Sequence, residues 1–419
     1  MNTSRRKFLQ TVACSSALAS LNGVARSALA LSSKTAPSSA LPSGFAYIGS
    51  YATGSEAPDN VSAIYVFSIR SNQWNLKQTV ASRNPAFLAL HPSNRFLYAV
   101  NHVDGHDGLP CGTVEAYRID PEDGRLSIIN RQPLSLSATF PRHLAISPDG
   151  SYLVVAVYGG GAYNLLPIEA NGALGCVTAR RKETGSGPHP VHQASAHPHT
   201  ILFDPAGRYF LASDQGCDRL STFSLHDGRF SRTYQTPLSA GSGHTVLHPS
   251  RSLLFVSSAL DASITGYRLH ASTGELLDRV CSVKLPRAHA DEFRDGNALA
   301  LHPQGHVLYS TCACERSGQR TESISSWKID PAGGGLSLIQ TRDGDWSSLR
   351  SLTSVADGRA LLVLDHDQGS VIYLDTNAGT LASAHIVARM PNPVSMVVRT
   401  CDTDKGKAET KIPEGQNKT

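Results

Sequence analysis

Three histidines and an arginine stand out as residues able to do chemistry. His143, His199 and His244 each lie near the start of an apolar run, in PRHLAISPDG, HPHTILFDPAG and SGHTVLHPS, and Arg142 directly precedes the first. A neutral imidazole exchanges a proton near pH 7, and a guanidinium holds a carboxylate or phosphate through two parallel hydrogen bonds. Such a set can activate water against a carbonyl, provided donors also meet the charge that grows on the carbonyl oxygen. In a regular strand Arg142 and His143 point to opposite faces. Both reach one site only if the strand end is irregular. No G-x-S-x-G elbow, H-E-x-x-H helix, P-loop or dinucleotide fingerprint is present, which removes those enzyme classes.

The elements that must position these groups recur along the chain. Each unit is an alternating apolar run, a Pro-containing turn and a second, more fully apolar run. Period-two alternation marks a strand with one buried face, and the Pro-Asp-Gly type of turn supplies a fixed φ followed by a tolerant one. The turn prolines are Pro92, Pro148, Pro205, Pro249 and Pro303, with Ala356 in the equivalent place. Anchors spaced about 44 to 57 residues apart fit four-stranded propeller blades. The first strand, Phe45–Tyr51, has no anchor before it, and Pro393–Val398 follows the last unit. The termini are therefore expected to share one blade, giving an all-β, seven-bladed β-propeller with no open sheet edge. His143, His199 and His244 take equivalent places on three successive blades and are expected to converge on the axis. His91, His248 and His302, directly before turn prolines, are expected to be structural.

Composition narrows the function. The formal net charge is only +4 over 419 residues, and no basic helix or aromatic RNA-binding strand accompanies it, so nucleic acid is not an expected partner. Eight scattered cysteines include no CxxC pair and read as small buried hydrophobes rather than a disulfide framework. Cys312 and Cys314 would share a strand face. Two long connections, 101–112 and 182–199, break the turn pattern, and the second holds His189, His192, His197 and His199. No metal and no cofactor is expected.

Residues 1–30 read as a leader. Ser4-Arg5-Arg6-Lys7-Phe8-Leu9 is similar to a twin-arginine export signal, and Ala28-Leu29-Ala30 offers a cleavage site. The twin-arginine translocase is the partner this implies, with a periplasmic or secreted product. The apolar stretch is too short for a stable span, so no membrane segment should remain after processing. Residues 31–43 read as a linker, 44–400 as the propeller and 401–419 as a disordered tail.

The segments AYIGSYATG, HPSNRFLYAVN, AYRIDPEDGRLSIINRQP, PRHLAISPDG, VYGGG, ETGSGP, SDQGCDRL and ALDASITGYRLHASTGEL, in that order, resemble the seven-bladed lactonase family. That family contains the propeller-type 6-phosphogluconolactonase and the carboxymuconate-lactonizing enzyme. The resemblance implies an axial funnel that binds a small lactone or organic acid without a metal. It implies catalytic roles for His143, His199 and His244, and substrate-binding roles for Arg350, Asp214 and Asn297. Arg142 adds a positive charge where the family usually has a small residue, and is expected to bind substrate by its own chemistry. Asp218 matches a second family aspartate. The chain departs from the pattern at Gly243 and Ala259, where the family carries arginine and glutamate, at Thr311–Cys314, and at Ser351. The expected activity is lactone hydrolysis, with His143 or His199 activating water. The alternatives are a carboxymuconate-type cycloisomerase and a non-catalytic binding propeller.

Overall fold

The computed structural model describes residues 41–51, 62–239, 241–250, 252–286, 298–316 and 319–401, with the side chains of 314–321 left aside. The expected leader, the residue Asn297, and the tail beyond 401 lie outside the described residues.

Seven four-stranded antiparallel sheets account for nearly all of the described chain. Their innermost strands are Pro85–Leu90, Pro141–Ile146, Pro198–Phe203, Ser242–Leu247, Leu299–Leu301, Leu349–Val355 and Pro393–Thr400, each touching the next around a ring. The last of these comes from the C-terminal end of the fold. It pairs antiparallel with Gly44–Ser50, Tyr47 lying opposite Val397, so one blade is built from both ends of the chain. The ring is thereby closed by hydrogen bonds that join sequence extremes, as the sequence pattern implied.

Burial follows position in the blade. Second strands such as Phe96–Asn101, Leu253–Ser258 and Ala360–Asp365 are buried along their whole length, because neighbouring blades cover both faces. Outer strands alternate, as Arg229–Pro237 does, with one face to solvent. The paired apolar runs in the sequence have this origin. Between them, the Pro-containing turns close by N–H donation, for example Gly150 to the Ser147 carbonyl at 2.8 Å, and end on a residue with positive φ. Gly150 (77°), Gly207 (72°), Gly305 (75°) and Asn94 (56°) fill that place, which suits glycine and asparagine.

The turn histidines act between blades. His91 Nε2 donates to the Gly150 carbonyl (3.1 Å) and His248 Nε2 to the Gly305 carbonyl (2.9 Å), each clasping the turn of the next blade. Their Nδ1 atoms accept the backbone N–H of Ser93 and Ser250. The cysteine expectation needs correction: Cys111 and Cys312 are buried, but Cys176 is exposed, because it falls in a connection rather than a strand core. No disulfide forms among the described cysteines.

Candidate functional site

A funnel of about 220 Å³ opens at the end of the axis where the inner strands begin. Arg142, His143, His199, His244 and Arg350 all line it, joined by Ala86, Phe87 and Val394 from two further inner strands. A shared local device brings them there. In six of the seven blades the ladder between inner and second strand slips by one residue at this end. Pro141 pairs with Val157 and His143 with Ala156, leaving Arg142 as the extra residue. Ala86, Arg350 and Val394 are extra in the same way. A bulge bends the strand and re-aims its side chains. It removes the alternation conflict and lets Arg142 and His143 reach one cavity.

One expectation is overturned in detail. His143 and His244 stand five residues before Pro148 and Pro249, but His199 stands six before Pro205. Thr200 is the register equivalent of His143, and His199 occupies the place of Arg142 and Gly243. Convergence survives because the bulge turns both consecutive residues toward the axis. The His199 and His244 rings meet edge to face at 4.9 Å. Gly243 makes room for this: a Cβ there would lie 3.2 Å from both His199 Nε2 and Gln215 Nε2.

The electrostatics are one-sided. Burial, then the neighbouring His244 imidazole and the Arg142 guanidinium, hold His143 down to about 3. Burial, then Arg142, His244 and His143, hold His199 well below the usual histidine range. Both rings are neutral at pH 7, and a group so reluctant to take a proton is a weak base. His143 Nδ1 accepts the Ile201 backbone N–H at 3.4 Å, so the neutral ring carries its proton on Nε2 and acts as a donor. Positive charge rests on Arg142, whose guanidinium lies 5.3 Å from the Tyr158 ring centre, and on Arg350 across the ring of blades. Among the described lining residues there is no carboxylate.

Asp214 is not on the funnel wall. Its Oδ1 accepts the backbone N–H groups of His197 (2.8 Å), Gly216 (3.1 Å) and Cys217 (3.1 Å), and its Oδ2 meets Arg219 at 3.3 Å. Burial pushes this carboxyl up, and those donors work against it. With its oxygens committed to the loop, Asp214 shapes the funnel end from behind. Asp218 has a similar duty, accepting from Gly241 N and Gln193 Nε2, both at 2.6 Å, and so fixing the 182–199 connection. His189 and His192 lie in that connection, with His189 Nδ1 accepting two backbone N–H groups.

Sequence reasoning assigned no site role to Tyr51, His366 or His102, the last of which it noted only as part of the long 101–112 connection, and all three are on the funnel wall. Each is the first residue after the second strand of its blade, following Ser50, Asn101 and Asp365. Those three strand ends pair with Pro393, Pro85 and Leu349, the starts of the inner strands. Counting from the end of each second apolar run would have found them. The wall is chemically mixed: the His143 ring lies 3.9 Å from that of Phe87, and His102 packs against Tyr51.

Among the described residues, no group of three or more His, Cys, Asp or Glu is placed to hold a metal ion, and no helix is long and apolar enough to cross a membrane.

Comparison with known proteins agrees with this architecture. The family described as lactonase, 7-bladed beta-propeller, matches residues 45–398. The 6-phosphogluconolactonase of Bacillus subtilis is 24% identical over 360 residues, covering 83% of this chain and 96% of that protein. A 6-phosphogluconolactonase of Formosa agariphila is 24% identical, covering 80% and 94%. The solved structure of the periplasmic gluconolactonase of Pseudomonas aeruginosa superposes with a TM-score of 0.70 at 23% identity, over 85% of this chain and 99% of that one. This chain belongs to the seven-bladed β-propeller lactonase family.

Proposed function

We propose that the protein is an exported hydrolase that opens a small sugar lactone in the axial funnel. The observation that carries this reading is the meeting of Arg142, Arg350 and three inner-strand histidines in one cavity whose described lining holds no carboxylate. Such a wall attracts oxygen-rich and anionic groups. At about 220 Å³ the cavity is smaller than pockets for drug-sized ligands, which suits a single six-carbon ring. His143 Nε2–H and the Arg142 guanidinium are placed to stabilise charge on the lactone carbonyl oxygen. Arg350 holds a hydroxyl or acid group and, after ring opening, the carboxylate.

The N-terminal Arg5-Arg6 signal favours export, and with it a substrate met outside the cytoplasm. An unphosphorylated aldonolactone fits that setting better than a sugar phosphate. The name of the Pseudomonas neighbour, a periplasmic gluconolactonase, supports the same choice.

The test is acid release. Purified protein is followed in a pH-stat with glucono-δ-lactone, its γ-isomer and 6-phosphogluconolactone, with spontaneous opening subtracted. Enzyme-dependent acid release from an unphosphorylated lactone is the expected result. Release from the phosphorylated lactone alone would remove the substrate choice, and release from none would remove the reading. A change in muconate absorbance without acid release would favour the cycloisomerase.

A further inference from the structure

We propose that His102 is the general base of the funnel, and that Phe140 and the Pro141 carbonyl position it. The inference rests on the lactone-hydrolase reading above and assigns the one role that reading leaves open.

The first support is the tautomer. His102 Nδ1 lies 3.1 Å from the Pro141 carbonyl oxygen. A carbonyl can only accept, so Nδ1 carries the hydrogen. In the neutral ring Nε2 is then the proton-accepting nitrogen. His143, whose Nδ1 accepts the Ile201 N–H, has the opposite arrangement and offers N–H to the cavity. The funnel thus pairs an acceptor imidazole on one blade with a donor imidazole on the next.

The second support is the way the ring is held. His102 lines the cavity, its backbone N–H bonds the Asn84 carbonyl at 2.8 Å, and its ring sits between Tyr51 (5.3 Å, edge to face) and Phe140 (5.2 Å).

The third is backbone strain. The residue just ahead of an inner strand has positive φ in four blades: Asn84 (44°), Phe140 (49°), Gly241 (72°) and Asn392 (41°). Asparagine and glycine tolerate that conformation, whereas a bulky aromatic residue does not. Phe140 is also 39% exposed, so burial does not explain it. Gly159 leaves space for its ring, since a Cβ there would lie 2.8 Å from Phe140 Cδ2. Strain of this kind collects at functional sites. What the ring accomplishes is contact with His102.

The chemistry balances. A water oxygen attacks the lactone carbonyl carbon while His102 Nε2 takes one of its protons. The carbonyl π electrons move onto oxygen, which accepts hydrogen bonds from His143 Nε2–H and Arg142. As the tetrahedral adduct collapses, the bond from the carbonyl carbon to the ring oxygen breaks. That oxygen receives the proton from the His102 imidazolium. The product is the open hydroxy acid, which loses its proton to solvent, and His102 is again neutral.

The experiment compares wild type, His102→Ala and Phe140→Asn against glucono-δ-lactone. His102→Ala should lower kcat by about a hundredfold or more with little change in KM, and added imidazole should restore part of the rate. Phe140→Asn relieves the positive φ, so it should melt higher than wild type yet turn over about tenfold more slowly. Wild-type turnover in His102→Ala would overturn the assignment while leaving the lactonase reading intact. A large loss that imidazole does not restore would also overturn it. If His102→Ala does not fold, Phe140→Asn decides: higher stability with lower kcat supports the assignment, and unchanged kcat or lower stability overturns it. A wild-type protein without lactonase activity overturns both readings.

Discussion

Acid should destabilise this protein through the funnel, and His143 provides a measure of how much. In the folded state burial, His244 and Arg142 hold it down from 6.5 to about 3. The charged form is disfavoured only when the chain is folded, so the unfolded chain binds the proton more readily. Stability from this group is fully present above pH 6.5 and is lost as pH falls toward 3. Each pH unit inside that window removes about 1.4 kcal/mol, so lowering pH from 7.5 to 5 removes about 2 kcal/mol. His143→Gln keeps an oxygen able to accept the Ile201 N–H but does not titrate. Urea unfolding of wild type and His143→Gln at both pH values isolates the contribution, because the other carboxylates and histidines titrate in both proteins. Wild type should lose about 2 kcal/mol more than the variant between pH 7.5 and 5. A bound anion such as gluconate should shrink that difference by offsetting the Arg142 charge. Equal losses in the two proteins would mean that His143 ionises freely, and the description of a dry, positively biased funnel would fail.

Three other outcomes follow from the structure. Arg350→Gln removes a cavity-lining guanidinium, and inhibition by gluconate should weaken by about tenfold or more, as expected for a charged hydrogen bond. An unchanged inhibition constant would take Arg350 out of the binding set. Gly358→Ala places a Cβ 1.9 Å from His302 Nε2 at a φ of 87°, and should destabilise by about 2 kcal/mol or more in urea unfolding, while kcat per folded molecule holds because this turn is at the end of the blade away from the funnel. Ending the chain at Asn392 deletes the partner of Gly44–Ser50 and bares a sheet edge, so the truncated protein should aggregate, as solubility after expression would report.

Much of the architecture is local in origin, which is why it was readable. Five blades carry their own apolar alternation and turn proline, and a sixth has Ala356 in the proline's place. Repetition of those signals at near-constant spacing leaves a ring as the arrangement that buries every second strand. The orphan strands at Phe45 and Pro393 implied a shared blade for the same reason. His143 and His244 could be named in advance because distance from a turn proline is a count along the chain, whereas His199 and Arg350 were legible through the family resemblance.

Other features were decided in three dimensions. The bulge that brings Arg142 and His143 into one cavity arises from pairing with the second strand, and no single segment displays it. Asp214 looked like a funnel residue until its oxygens were found bonding loop N–H groups 2 to 17 residues away. His102 and His366 stand one residue past the second apolar run, and it is the pairing of that run with the inner strand that brings them to the funnel. The low proton affinity of His143 and His199 is likewise a property of the closed funnel. It depends on desolvation and on charges contributed by neighbouring blades, and neither exists until the sheets have packed together. Sequence alone therefore settled which strands form and how the ring closes, since both follow from short-range pattern. Tertiary structure settled which nitrogen bears a proton and which side chains face the cavity, since both depend on partners far along the chain.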